Sequence, residues 1–346
     1  MTELYHTQYD LSDRIFLIIW CLICLITGSI GNGFTIFSSI LVSSKTGLDH
    51  FTATLLRNLA VSDQVYIITR ILPSLISHIA GGWILGDKVC YVEGLVFMLP
   101  VLVSMALVLA LSCIKAVVCV FPLRTTGLFN STFFRRGLVM FIWFQAALPL
   151  IMAALTRQEV VVNPELETIC ELTVNRTSSV GYAINVVLNV QMWIPTVCVI
   201  PCNLILWLIA RRYTRSHNLS NKKAVTTVLA ISLLFVVSWM PHIIEQAWRV
   251  FDKSPHIPLW FNKVHINFYF LSVVGNPILY ALINQRYRDA VSTKMTKRFC
   301  SKDGQNKVGL QKGIPLCGDP SQKSHTKSTP ASKCEQSISM KSSDNT

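Results

Sequence analysis

Charged side chains are scarce in this sequence of 346 residues, where Asp, Glu, Lys and Arg together make up only 14%. A soluble protein of ordinary composition carries about 25%. Hydrophobic residues account for 51% of the chain. That is more than one soluble core can enclose, so some of them must face lipid. The shortage of charge therefore excludes an ordinary soluble domain.

Motifs of catalysis and of metal binding are also missing from the sequence. There is no glycine-rich phosphate loop and no nucleophile–base pair outside the apolar segments. The eleven cysteines show no Cys/His spacing typical of zinc, and no internal repeat of the kind common in transporters is found. These absences argue against an enzyme, and they leave a transporter or channel as the weaker alternative to a receptor.

The charge that is present has one dominant sign, with a formal net charge of +13. Such a surplus can indicate nucleic-acid binding. Here the basic residues lie at the ends of apolar segments and in the last part of the chain, where they are not interleaved with aromatic residues. Basic residues beside apolar spans are typical of cytoplasmic flanks. We therefore expect membrane lipid as a partner and exclude nucleic acid.

Seven apolar stretches are long enough to cross a bilayer, which takes roughly 20 residues. Because every backbone polar group must be paired inside hydrocarbon, each stretch should be a helix. The predicted spans are Ile15–Val42, Thr52–Ile79, Val89–Val118, Gly137–Leu155, Tyr182–Ala210, Ala224–Val250 and Asn262–Ile283. The sequence thus predicts an all-α membrane protein built as a seven-helix bundle.

The short connections set the expected orientation. Basic residues cluster in the first, third and fifth connections and after the last stretch, so these should face the cytoplasm. We therefore expect residues 1–14 to be extracellular, residues 15–283 to form the bundle in the plasma membrane, and residues 301–346 to be a disordered cytoplasmic tail. The first apolar run is too long for a cleaved signal peptide and should be retained.

Residues 284–300 are predicted to form a short amphipathic helix at the membrane interface. One apolar residue recurs at every fourth position among basic residues, which is the pattern of an interfacial helix. The stripe consists of Tyr287, Val291, Met295 and Phe299. Cys300 at its end is a candidate palmitoylation site; the alternative is a free thiol.

The side of the membrane on which a residue lies also determines whether cysteines form a disulfide and whether sequons are glycosylated. Cys90 and Cys170 are predicted to face the outside, where oxidising conditions favour a disulfide between them. Of the three Asn-x-Ser/Thr sequons, at Asn130, Asn175 and Asn218, only Asn175 lies outside in this topology. It alone should carry a glycan.

Short motifs in all seven stretches resemble, in order and spacing, those of the rhodopsin-like (class A) G-protein-coupled receptors. The matching residues are Gly31-Asn32, Asn58 to Asp63, Trp83, Gly86, Cys90, Trp143, Pro195, Ser238-Trp239-Met240-Pro241 and Asn276-Pro277-Ile278-Leu279-Tyr280. The resemblance covers roughly residues 15–300, and the sixth-helix run from Ser238 to His242 looks more like that of peptide receptors than that of lipid receptors. It implies a receptor that transmits binding of an extracellular ligand to heterotrimeric G proteins and arrestin.

A buried polar cluster is predicted in the middle of the membrane. An unpaired carboxylate there costs several kcal/mol, so Asp63 needs partners, and Ser104, Ser272 and Asn276 lie at a similar depth. Shells made only of oxygen suit hard cations. The resemblance implies a bound sodium ion that favours the inactive state; the alternative is a water-filled hydrogen-bond network. No other cofactor is expected.

The residues that the resemblance assigns to activation include two departures from the family pattern. Ile114-Lys115-Ala116 stands in place of Asp-Arg-Tyr, and Asn203 in place of a Tyr. A Lys ammonium cannot reproduce the planar guanidinium of Arg. The remaining switch residues are Trp239, Pro241, Asn276, Pro277 and Tyr280. The sequence therefore allows a coupled receptor with altered basal activity, or a receptor-like protein that binds ligand without productive coupling.

The predicted ligand pocket lies at the outer end of the bundle. Phe97 replaces the Asp of amine receptors and Phe270 replaces the retinal lysine of opsins, which argues against both ligand types. The pocket is predicted to contain Arg70, Glu93, Phe97, Met98, Asn189, Trp239, His242, Glu245, Gln246 and Phe270. Mixed charges of this kind suit a short peptide, with a small anionic metabolite bound by Arg70 as the alternative. Arg70 could also pair with Glu93 or extend outward.

Overall fold

The computed structural model of the protein describes residues 10–41, 47–121, 127, 131–163, 168–175, 177–215, 219–251, 258–283 and 292. The predicted interfacial helix, apart from residue 292, and the predicted tail lie outside these residues. Cys300 lies outside them too, so these three expectations stay predictions.

Seven helical segments of membrane length run through the described part of the chain, and we number them in chain order. They are Leu11–Leu41; Gly47–Tyr66 continued by Ile67–Ile71 and Leu72–Ala80; Asp87–Val96 continued by Met98–Val120; Thr132–Leu155; Ser179–Arg215; Leu219–Phe251; and Leu259–Ile283. Each contains most of one predicted span. The predicted seven-helix bundle is therefore confirmed.

The helices extend past the apolar stretches because the polar residues that flank these stretches are also helical. The fourth helix shows the reason. Ser131 caps it by accepting a hydrogen bond from the Phe134 amide, with 3.3 Å between Oγ and N, so the helix begins ahead of the predicted Gly137 and includes Arg135 and Arg136. Hydropathy marks where lipid begins, whereas capping marks where the helix begins.

Six of the described helices are long and apolar enough to span a membrane, and the seventh contributes the apolar segment Phe270–Leu279 among its described residues. At 25 residues, the seventh helix is about 37 Å long, which exceeds the roughly 30 Å of hydrocarbon. The apolar window of the third helix is 61% buried, against 28% in the first, fourth and fifth helices. The third helix therefore lies inside the bundle and those three border the lipid.

The first helix packs against the second and the seventh, the seventh against the sixth, and the sixth against the fifth. Polar contacts through residues of the family motifs also join helices. Asn32 Nδ2 donates to the Val273 carbonyl oxygen at 3.1 Å, and Trp143 Nε1 donates to Asn58 Oδ1 at 3.2 Å. Each bond satisfies a polar group that has no water partner in hydrocarbon.

The second helix is not regular along its length. Residues Ile67–Ile71 form one π-helical turn just before Pro73. Proline lacks the amide hydrogen that would continue the α-helical pattern, and π turns accommodate such interruptions by admitting an extra residue. The turn changes the direction of the side chains that follow, and it buries Arg70 along with Ile67 and Ile71.

A two-stranded antiparallel hairpin covers the end of the third helix. Its strands are Glu159–Val162 (β1) and Cys170–Thr173 (β2), with Val162 opposite Cys170. A disulfide joins Cys170 to Cys90 near the start of the third helix, as the sequence predicted. The hairpin is therefore held across the mouth of the bundle by a covalent bond.

Candidate ligand-binding and switch sites

A buried ion pair links the second helix to the third. Arg70 Nη1 bonds Glu93 Oε1, and both side chains are only 2% exposed. The π turn directs Arg70 inward, and Glu93 lies one turn past Cys90 on the third helix. Two opposite charges that are removed from water together stabilise each other, whereas either alone would be very costly.

The same pair also binds the backbone of the hairpin. Arg70 Nη1 donates to the Cys170 carbonyl oxygen at 2.8 Å, and the Cys170 amide donates to Glu93 Oε2 at 2.9 Å. The Arg70 guanidinium carbon lies 4.1 Å from the centre of the Phe97 ring. The ion pair, the disulfide and the aromatic ring thus hold β2 at one point.

This arrangement limits what Arg70 can offer a ligand. Its charge is balanced by Glu93, and one terminal nitrogen already serves Glu93 and Cys170. The buried Nε has no hydrogen-bond partner among the described residues. Arg70 Nε therefore has an N–H group left for a ligand, while the charge of the guanidinium is already balanced by Glu93.

The helices run in alternating directions, which places the sixth-helix residues relative to the hairpin. Ser112, near the Val120 end of the third helix, which we call its inner end, bonds Ser232 on the sixth, so the residues after Ser232 approach the hairpin end. There His242 Nδ1 and Glu245 Oε2 are 3.3 Å apart, and both side chains are nearly buried. The sixth helix thus places two ionisable groups in the half of the bundle that the hairpin covers, which we call the outer half.

Aromatic side chains form the layer beneath these charges. Trp239 lies 6.0 Å from Phe235 and 6.1 Å from His242 between ring centroids. Tyr66 meets Phe270 edge to face at 6.2 Å. The Tyr66 hydroxyl is buried and has no hydrogen-bond partner in the described part of the chain. This layer separates the outer charges from the polar centre.

The other predicted pocket residues have less defined contacts. Asn189 Nδ2 donates to the Asn185 carbonyl oxygen of its own helix at 2.8 Å, so part of its amide is already engaged. Met98 is partly buried against the core. The side chain of Gln246 lies outside the described residues. Their roles in ligand binding stay predictions.

The predicted polar cluster is present around Asp63. Asn276 Nδ2 donates to Asp63 Oδ2 at 3.0 Å, and Ser104 Oγ donates to Oδ1 at 3.4 Å. Ser62, which the sequence analysis did not assign, bonds Ser104 at 2.8 Å. Ser272 is buried nearby in the seventh helix, one turn before Asn276. The second, third and seventh helices therefore meet through polar side chains here.

The inner end of the third helix carries weaker contacts. Ser112 Oγ and Ser232 Oγ are 2.7 Å apart, joining the third helix to the sixth, and Cys113 Sγ and Cys202 Sγ are 3.2 Å apart, joining it to the fifth. Lys115 is only 9% exposed. The neighbouring switch positions are less complete: Asn203 Oδ1 has no hydrogen-bond partner among the described residues, and the Tyr280 side chain lies outside them.

Pro277 contacts the first helix closely. A Cβ atom added to Gly31 would lie 2.6 Å from Pro277 Cβ, so the glycine of the Gly31-Asn32 motif gives the proline room. Trp239 and Pro241 are two residues apart on the sixth helix, which continues through Pro241 to Phe251. The structure therefore joins some switch residues through packing, while their part in activation stays a prediction.

Several site residues were missed from the sequence. Tyr66, Ser112 and Ser232 look like ordinary helix residues, and Ser62 was noted only as part of the Asn58 to Asp63 motif. What signals a role for all four is their depth, because a polar side chain in hydrocarbon needs a partner. Tyr66, one turn before Arg70, could have been found in this way. The backbone of Cys170 could not, because its part depends on the fold of the hairpin.

Comparison with known proteins agrees with this architecture. The family model described as "7 transmembrane receptor (rhodopsin family)" matches residues 31–280. The galanin receptor type 1 of Rattus norvegicus is 26% identical over 317 residues, which cover 89% of this chain and 86% of that receptor. The neuropeptide FF receptor 2 of the same species is 24% identical over 282 residues, covering 71% and 64%.

Among solved structures, squid rhodopsin superimposes with a TM-score of 0.65 at 17% identity, over 88% of this chain and 94% of that one. This last similarity concerns the fold alone. The family model spans well over half of the chain, so the chain belongs to the rhodopsin family of seven-transmembrane receptors. It is a multi-pass protein of the plasma membrane and a receptor, not an enzyme.

Proposed function

We propose that this receptor binds a short extracellular peptide beneath the hairpin and transmits binding to heterotrimeric G proteins and arrestin. One observation carries the proposal: ionisable side chains of both signs are buried in the outer half of the bundle, at Arg70, Glu93, His242 and Glu245. Ionisable groups at membrane depth are costly and are kept where they serve a function.

The ligand class follows from the balance of these charges. Glu93 already balances Arg70, which disfavours a small anion as the main ligand. Glu245 and His242 supply a carboxylate and an imidazole on a different helix, and the Tyr66 hydroxyl and Arg70 Nε add two hydrogen-bonding groups. A peptide presents amides and charges of both signs to match such a set. The name of one relative, neuropeptide FF receptor 2, agrees with this class.

A peptide library applied to cells that express the receptor would test the proposal, with nucleotide exchange and arrestin recruitment as readouts. For an active peptide, Glu245→Gln should lower the potency at least about ten-fold, equivalent to 1.4 kcal/mol. Ser38→Ala is the control, because Ser38 Oγ bonds the Thr35 carbonyl oxygen in the first helix. An active peptide whose potency is the same on Glu245→Gln would refute the proposed pocket.

Binding without productive coupling is the second candidate, and Ile114-Lys115-Ala116 favours it. Lys115 is nearly buried, and it lacks both the acidic neighbour and the planar guanidinium of the family motif. Replacing the three residues with Asp, Arg and Tyr separates the two. A gain in nucleotide exchange or arrestin recruitment would support a weakened switch, whereas no gain would support a receptor that does not couple.

The polar cluster around Asp63 has oxygen atoms that can serve as ligands of a sodium ion. Asp63 supplies carboxylate oxygens and Ser104 a hydroxyl, and Asn276 Oδ1 is buried with no hydrogen-bond partner among the described residues. Ser272 is the fourth proposed ligand. Oxygens of this kind suit a hard cation, which would neutralise the carboxylate. Sodium should raise the melting temperature of the purified receptor relative to potassium, and Asp63→Asn should abolish that difference.

The proposed orientation has the N-terminus and the hairpin outside the cell. Asn175 is exposed just beyond β2, and its Oδ1 accepts hydrogen bonds from Thr177 at 3.0 Å from the amide and 2.6 Å from the hydroxyl. Because Asn175 is the only one of the three sequons that lies outside in this orientation, Asn175→Gln should remove the glycan entirely, as judged by the mobility shift on glycosidase treatment. A shift that persists in this variant would place Asn130 or Asn218 outside and reverse the topology.

A further inference from the structure

Two thiols meet between the third and fifth helices, and neither has a part in the function proposed above. Cys113 Sγ and Cys202 Sγ are 3.2 Å apart, and both cysteines are half-buried. A disulfide requires about 2.05 Å between sulfur atoms, so the two must approach by only about 1.2 Å. The helices that carry them pack along each other, which keeps the two sulfur atoms in contact.

The other free cysteines of the described chain lack this arrangement. Cys21 and Cys24 are fully buried in the core between the first and second helices. Cys119 is half-buried and lies nearly two turns beyond Cys113 on the third helix. Cys198 lies one turn before Cys202 on the fifth helix and is exposed, so it faces the lipid. Cys198 shares the helix and the membrane depth of the pair but not the 3.2 Å contact, which makes it the matched control.

The pair also differs from the disulfide that the structure already has. Cys90 and Cys113 belong to the same helix and lie roughly 35 Å apart along it, at opposite ends. In the proposed orientation, the Cys113 end faces the cytosol, where glutathione and thioredoxin keep thiols reduced. Cys113 and Cys202 are therefore expected to rest as thiols and to be bridged only when an oxidant arrives.

We propose that Cys113 and Cys202 are a redox modification site, which a peroxide converts to a reversible disulfide between the third and fifth helices. One thiol loses its proton as its sulfur attacks a peroxide oxygen, the O–O bond breaks, the departing oxygen takes up that proton, and a sulfenic acid and water form. The second sulfur then attacks the sulfenic sulfur and releases a second water. Overall two thiols lose two electrons and two protons, and one hydrogen peroxide becomes two waters. A dithiol reverses the reaction by exchange.

The position of the bridge gives it a consequence, which rests on the proposed coupling to G proteins. Cys202 precedes Asn203, and Cys113 lies between Ser112 and the Ile114-Lys115-Ala116 segment. The bridge would fix the third helix to the fifth beside these switch positions, while Ser112 stays bonded to Ser232 of the sixth helix. Oxidation should therefore hold the inner end in its present arrangement and lower nucleotide exchange.

The chemical test uses the full-length receptor in cell membranes. After a pulse of hydrogen peroxide, remaining thiols are blocked with N-ethylmaleimide and the protein is digested for mass spectrometry. We expect a cross-linked peptide that joins residues 113 and 202 and is lost on treatment with dithiothreitol. C198S should give it as well as wild type, and C113S and C202S should not give it. The proposal is overturned if Cys113 and Cys202 remain fully alkylated, or if Cys198 is the partner instead.

The consequence is measured separately, as basal nucleotide exchange by added G protein before and after peroxide. Exchange should fall several-fold in wild type and C198S, and not in C113S or C202S. A cross-link without any change in exchange would overturn the regulatory consequence and leave the modification site standing. A cross-link in a receptor that never supports exchange would instead count against the proposed coupling. The two failures are therefore distinguishable.

Discussion

The two ends of the third helix are fixed by contacts of very different strength. At the hairpin end, Cys90 is covalently bound to Cys170, and Glu93 is paired with Arg70 and with the same hairpin residue. At the other end, the polar contacts seen among the described residues include a bond between hydroxyl groups, at Ser112, and a contact between thiols, at Cys113. One helix thus joins a rigid platform to an end that is held loosely.

The energies make the contrast clear. Leaving a buried ion pair without one partner costs about 3–5 kcal/mol, and a disulfide contributes about 2–4 kcal/mol. A hydroxyl hydrogen bond contributes about 0.5–1.5 kcal/mol. The hairpin end should therefore keep its geometry when a ligand arrives. The hydroxyl contact at the inner end should give way at a much smaller cost.

The largest expected effect comes from breaking the ion pair. Glu93→Gln leaves the Arg70 guanidinium buried without its counter-charge and weakens the bond from the Cys170 amide, so the receptor should lose about 3–5 kcal/mol. Thermal unfolding in detergent and the fraction of receptor at the cell surface would report the loss.

The double variant Arg70→Met/Glu93→Met is the control for that loss. It removes both charges, and it should be more stable than Glu93→Gln because no isolated charge remains. If Glu93→Gln unfolded at the wild-type temperature, the ion pair would not be what fixes this end of the helix.

The second largest loss of stability is expected from removal of the disulfide between Cys90 and Cys170. Cys170→Ser should cost about 2–4 kcal/mol, but the hairpin should stay in place through the bonds from its backbone to Arg70 and Glu93. Limited proteolysis would follow the hairpin, and thermal unfolding the whole receptor. We expect dithiothreitol to lower the melting temperature of wild type to that of Cys170→Ser, with no effect on the variant. A variant that matched untreated wild type in both assays would contradict this account.

Much of the hairpin end of the third helix, which is its strongly held or strong end, could be predicted from the sequence, because its parts carry local signals. The length of the apolar stretches predicts the helices, and the oxidising compartment predicts the Cys90–Cys170 bridge. An arginine within a membrane span requires a partner such as Glu93. The polar centre was predictable for the same reason, since Asp63 cannot stay alone in hydrocarbon. In each case an unfavourable group restricts the choice of partner.

The contacts at the inner end, which is the weakly held or weak end of the third helix, could not be predicted, because they depend on how the helices are rotated about their axes. Serine and cysteine are tolerated almost anywhere in a membrane helix, so nothing in the sequence pairs Ser112 with Ser232 or Cys113 with Cys202. The direction of Arg70 was open for a similar reason, since it follows from a π turn that hydropathy does not reveal. Packing, and not composition, decides these contacts.

A steric change at the strong end should have an intermediate effect. A Cβ atom on Gly94 would lie 2.4 Å from Val160 Cγ1 and 3.3 Å from the Cys170 carbonyl carbon. Gly94→Ala should therefore push the hairpin off the third helix and cost about 1–3 kcal/mol. Thermal unfolding measures the cost, and proteolysis of the hairpin should become faster.

Gly33→Ala is the matched control for this substitution. It lies inside the first helix, and a Cβ atom there would meet nothing within 4 Å. Alanine should therefore leave the stability unchanged or raise it by about 0.5–1 kcal/mol. Equal losses at Gly33 and Gly94 would mean that the close approach of the hairpin is not the cause.

The smallest expected effect separates the two hydroxyl groups at the weak end. Ser232 Oγ also lies 2.9 Å from the Val228 carbonyl oxygen, to which it donates its only hydrogen, so Ser112 must be the donor to Ser232. Ser232→Ala then leaves a buried donor without its acceptor, whereas Ser112→Ala leaves Ser232 bonded to Val228. Each should cost about 0.5–1.5 kcal/mol, with Ser232→Ala the more costly. Thermal unfolding of the two variants and the double variant would show the order, and equal costs that simply add would mean that the two hydroxyl groups do not stabilise each other.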